Sequence, residues 1–125
     1  MSITWKYIER YDYTEVSHTG HLTRHLSKSK IPASLRKLID DTRCYNFLID
    51  YSMLSIDSSV TDIYLMGKGL FNGKLPHRVR IAFFCDHDEE KMDFLETVLR
   101  NRGFIVKAFA EKENAIEWLI GEKRE

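Results

Sequence analysis

The C-terminal half of the chain alternates between two hydrophobic patterns, and this alternation restricts the fold more than any other feature. Val79-Arg80-Ile81-Ala82-Phe83-Phe84-Cys85 is a short, nearly continuous apolar run of strand length. The spacing then becomes helical: Met92, Leu95, Val98 and Leu99 share one face. Asp86 or Asp88 can cap this helix, Glu89 and Glu90 favour the positive end of its dipole, and Arg100 and Arg102 sit near its C-terminus. Gly103 supplies a left-handed stop. Phe104 to Phe109 reads as another strand, and Ala115, Ile116, Leu119 and Ile120 form the apolar face of a final helix. Strands separated by helices are joined by right-handed crossovers, so these strands should lie parallel.

The first half extends the pattern. Ile3, Trp5 and Tyr7 follow a period of two, and Tyr11, Tyr13 and Val16 suggest a second short strand after a turn near Asp12, giving an N-terminal β-hairpin. Gly20 should break that strand, and Thr19 to Ile31 reads as a loop or a short frayed helix. Pro32 suits the first turn of a helix carrying Leu35, Leu38 and Ile39 and ending near Thr42. Tyr45 to Tyr51 has the composition of a central strand covered on both faces. Ser55-Ile56-Asp57-Ser58-Ser59 can cap a helix whose inner stripe is Ile63, Met66 and Leu70. The expected fold is therefore α/β: a hairpin, then β-α alternation in a mixed, mostly parallel sheet with packed helices, as a single domain over 1–125.

Charge and cysteine usage narrow the function. Lys plus Arg and Asp plus Glu both total 19, so no overall field attracts a polyanion, and nucleic-acid binding is not expected. Cys44 and Cys85 each adjoin an apolar run and are expected to be reduced thiols in a cytoplasmic protein. The start of the chain lacks a basic segment followed by an apolar stretch, so secretion is not expected. No apolar run approaches the roughly 20 residues needed to span a bilayer, so membrane insertion is not expected either.

The element order, with Asn46-Phe47-Leu48-Ile49-Asp50 leading into Ile56-Asp57-Ser58-Ser59 and a helix, resembles the STAS superfamily of sulfate transporter tails and anti-sigma factor antagonists. The C-terminal pattern of Phe109, Ala115, Trp118 and Leu119, after Asn101-Arg102-Gly103, resembles its SpoIIAA-like branch. The resemblance implies a regulatory module rather than an enzyme. It also implies a role for Ser59, which falls where the antagonists carry the second serine of an Asp-Ser-Ser-Gly stretch, the serine phosphorylated by a partner kinase. A phosphate there would add up to two negative charges at a helix N-terminus. Val60 stands where that family has glycine, and the same Asp57, Ser58 and Ser59 can equally serve as helix-capping residues.

Other constellations carry less. Cys85-Asp86-His87-Asp88-Glu89-Glu90 after a strand imitates the acid cluster of a response-regulator receiver, but the chain beyond it is too short to supply a later phosphoacceptor strand. His18, His21 and His25 have spacing that can bind zinc, yet no neighbouring Cys or Glu completes a site, so they are expected at the surface and no metal is expected. There is no Gly-x-Ser-x-Gly elbow, and Gly67, Gly69 and Gly73 do not precede a helix as a phosphate loop would. No catalytic residue and no cofactor are expected.

The sequence thus points to a non-enzymatic regulatory or protein-interaction module. Its candidate partner-facing loop is Asp57, Ser58 and Ser59, and its candidate docking helix carries Tyr64, Leu65 and Phe71, which lie off the inner stripe. A protein partner or self-association would cover that face. The alternative is a small carrier or sensor holding an apolar or lipid-like molecule in a pocket lined by Tyr51, Met53 and Met66.

Overall fold

The structure is a computed structural model that describes residues 2–22, 35–56, 75, 76 and 78–121. Within them lie β1 (Ser2–Ile8), β2 (Tyr13–Leu22), helix α1 (35–42), β3 (Asn46–Ile56), β4 (Arg80–Phe84), α2 (Glu89–Asn101), β5 (Ile105–Phe109) and α3 (Lys112–Ile120). The strands form one sheet in the order β1-β2-β3-β4-β5. β1 and β2 are antiparallel, and every other neighbouring pair is parallel, as alternation through helices requires.

Strand alternation sends side chains to both faces, and each face has its own apolar cluster. Phe47, Ile49, Tyr51, Ile81, Phe83 and Val106 face α1 and α2, where they meet Leu35, Leu38, Ile39, Met92, Leu95 and Leu99. Leu48 and Ala82 face the other way and meet Ala115, Leu119 and Ile120 of α3. Phe47, Leu48 and Ala82 are fully buried, which explains why β3 and β4 are apolar on consecutive rather than alternate residues. Full burial of a side chain such as Phe47 stabilises the fold by about 1.5–3 kcal/mol.

The punctuation read from the sequence governs α2. Asp88 is its N-cap and accepts from the Lys91 N–H at 3.3 Å, Glu89 and Glu90 occupy the first turn, and Met92, Leu95, Val98 and Leu99 are buried. Gly103 has φ 92°, the left-handed stop. The last turn of α3 is closed from outside: the Arg80 guanidinium donates to the carbonyls of Trp118 (3.0 Å) and Leu119 (3.4 Å) and lies 4.9 Å from the Trp118 ring centroid.

The hairpin turn is left-handed at Asp12, with φ 54°. Its carbonyl accepts from Asn46 Nδ2 at 3.0 Å and from the Cys44 thiol at 3.5 Å, which fastens the turn to the start of β3. The Tyr7 hydroxyl donates to Asp12 Oδ1 at 2.9 Å, and this bond raises the phenol pKa to about 12. Both cysteines are free and buried.

Two expectations from the sequence are corrected. β2 does not stop at Gly20 but continues to Leu22, because Gly20 takes φ 102° and the strand keeps pairing with β3 on both sides of it. β3 is also longer than expected: it runs to Ile56, so Ser55 and Ile56 belong to the strand rather than to a helix cap. The expected helix with Ile63, Met66 and Leu70 lies outside the described residues, as does Pro32. Among the described residues no helix is long and apolar enough to cross a membrane.

Candidate functional site

β2 and β3 change register halfway along their length. Ser17 faces Asp50 and Thr19 faces Met53, so the single residue His18 stands against two, Tyr51 and Ser52. Asp50 stabilises the irregularity locally: its Oδ1 accepts from the Ser52 N–H at 2.9 Å and from the Ser52 hydroxyl at 2.6 Å. The Asp50-Tyr51-Ser52 spacing is the sequence trace of this turn within the strand.

At this point His18 enters the core. Two positions beyond buried Val16, it lies on the same inward side and is 1% exposed, which corrects the expectation of a surface histidine. Its ring meets Tyr51 edge-on at 5.0 Å, and Tyr51 stacks on Phe83 at 5.7 Å. Nδ1 has no hydrogen-bond partner. Burial lowers the His18 pKa to about 4, against a smaller opposing pull from Asp50. Burial also raises the Tyr51 phenol, with a further contribution from nearby Cys85. Both groups are held neutral at physiological pH.

On the opposite face Asp50 turns its other oxygen toward Lys112, at 3.8 Å, and Lys112 also binds Glu15. The contact with Glu15 raises the Lys112 pKa. This cluster ties the first turn of α3 to β2 and β3.

At the end of β4 the Cys85 thiol lies 3.6 Å from His87 Nδ1, and Asp86 Oδ1 lies 3.1 Å from the same nitrogen. A nucleophile, base and orienting acid act in line only when the thiol and the carboxylate engage opposite ring nitrogens. Here the thiol lies nearest Nδ1, the nitrogen the carboxylate also engages, and is farther from Nε2, at 4.0 Å. Among the described residues no group of three or more His, Cys, Asp or Glu could hold a metal ion.

The residues singled out from sequence divide as follows. Tyr51 is core, whereas Met53, two residues on, is 73% exposed. Asp57, Ser58, Ser59, Tyr64, Leu65, Met66 and Phe71 lie outside the described residues, as does His25. β3 ends at Ile56, at the same C-terminal end of the sheet as β4 and β5. In open α/β sheets this is the end that carries function.

A sheet with an antiparallel N-terminal hairpin, three further parallel strands and helices on both faces defines the STAS/SpoIIAA-like fold, and this chain has that fold. An anti-sigma factor antagonist from Mycobacterium paratuberculosis superposes with a TM-score of 0.61 at 13% identity, over 94% of each chain. The anti-sigma factor antagonist SpoIIAA in its unphosphorylated form superposes with a TM-score of 0.54 at 19% identity, over 96% of this chain and 99% of that one. No protein-family model and no curated protein sequence matches the chain.

Proposed function

We propose that this protein is a non-enzymatic regulatory module of the cytoplasm that works by binding another protein. Its contact surface comprises Asp57, Ser58 and Ser59 together with Tyr64, Leu65 and Phe71 of the helix expected from the sequence. The observation that carries this reading is the fold shared with two anti-sigma factor antagonists over nearly the whole chain. The course of β3 supports it, since the strand ends at Ile56, one residue before Asp57 in sequence, at the sheet end where binding loops of α/β proteins gather. Ser59 is the regulatory position in this reading: a phosphate there would place negative charge on the contact surface and change partner affinity.

Photo-crosslinking in the source cells tests the proposal, with the reactive side chain placed at Tyr64 or, as a control on a sheet edge, at Lys107. The expected result is one dominant protein adduct from position 64, reduced by Ser59→Glu, and none from position 107. Equal adducts from both positions, or no adduct at 64, would refute it.

A further inference from the structure

The sheet has two outer edges, and they differ in what an approaching strand would meet. β5 carries exposed Lys107 at its centre, so an antiparallel copy would bring lysine against lysine. β1 has no such centre. Its midpoint is Trp5, 53% exposed, flanked by exposed Thr4 and Lys6, and among the described residues its only neighbour in the sheet is β2. An edge strand presents a row of unpaired backbone donors and acceptors that another strand can satisfy.

We propose that β1 is a self-association surface: two copies pair β1 antiparallel about a two-fold axis at Trp5, joining their sheets into one. The sequence of β1 is complementary to itself in that register. Trp5 meets the second copy's Trp5, and Ile3 meets its Tyr7 on the same face, which are the aromatic and aliphatic cross-strand pairs that favour sheet pairing. On the other face Thr4 meets Lys6, so the only charge within the strand never meets its own copy.

Charge beside the strand agrees with this pairing. Trp5 and Ile3 line a shallow groove with Lys37, Leu38 and Asp41 of α1. Lys37 and Asp41 carry opposite charges, so this rim sets no single-sign field against a second copy.

Sedimentation equilibrium over a concentration series tests the proposal, with far-UV circular dichroism confirming that each variant is folded. Wild type should be a concentration-dependent dimer. Thr4→Lys sets lysine against Lys6 twice per interface and should weaken the dimer about tenfold, whereas Thr4→Glu should tighten it several-fold. Trp5→Lys should abolish it, and Ile105→Lys on the other edge should leave it unchanged. A wild type still monomeric at ~1 mM, where even weak pairs form, overturns the proposal. So does a dimer that responds to Ile105→Lys and not to either Thr4 variant, or one to which a different protein must be added. None of these outcomes bears on Ser59 or the loop at 57–59.

Discussion

Lowering the pH should destabilise this protein through His18. In the folded chain His18 stays neutral down to about pH 4, while in the unfolded chain an imidazole gains its proton near its ordinary value of 6.5. Between those values the unfolded state binds more protons, so stability rises with pH across this window and is lost as pH falls through it. The gap amounts to about 3 kcal/mol lost between pH 7 and pH 4, a large share of the total stability of a domain this size. Urea denaturation at half-unit steps from pH 7.5 to 4 measures the slope. His18→Phe keeps the ring against Tyr51, removes the titrating group and replaces the unpartnered Nδ1 with carbon. The difference between the two stability profiles should therefore be flat above about pH 6.5 and change by about 3 kcal/mol below it. Parallel profiles for wild type and variant would refute the reasoning, and so would an imidazole NMR titration of His18 centred near 6.5.

Three substitutions probe other parts of the fold, each checked by chemical denaturation. Arg43 follows α1 with φ 60° and donates its N–H to the Ile39 carbonyl at 2.8 Å, so Arg43→Gly should stabilise by about 0.5–1 kcal/mol. Asp88→Ala removes the side-chain cap of α2 and should cost about 1 kcal/mol. Phe47→Ala empties a fully buried position between β3 and the α1/α2 layer and should cost about 3–5 kcal/mol.

What the sequence reveals depends on how local the determinants are. α2 was legible from cap to stop because Asp88, the Met92 to Leu99 stripe and Gly103 all act within a turn or two of their own positions. The hairpin was legible from the period-two pattern of β1. The far end of β2 was not, because His18-Thr19-Gly20-His21 is polar and contains a glycine, and its strand state comes from pairing with β3 rather than from propensity. The burial of His18 has the same origin: alternation places it on the inward side with Val16, but only if the strand continues through this polar stretch, which its pairing with β3 decides. The candidate contact loop was marked by capping residues and a family resemblance, and the strand feeding it proved five residues longer than its apolar run, ending at Ile56 rather than Tyr51.

The spatial order of the strands repeats their order along the chain. Each strand, once made, can add to an edge completed earlier in synthesis, and none has to insert between two strands already joined. Assembly can therefore proceed in the direction of translation, with the sheet widening from the hairpin as α1, α2 and α3 close over it in turn. In such a scheme the growing edge is always the most recent strand and is soon covered by the next, whereas among the described strands no later one covers the edge of β1. That edge is therefore the one that assembly leaves open to another chain.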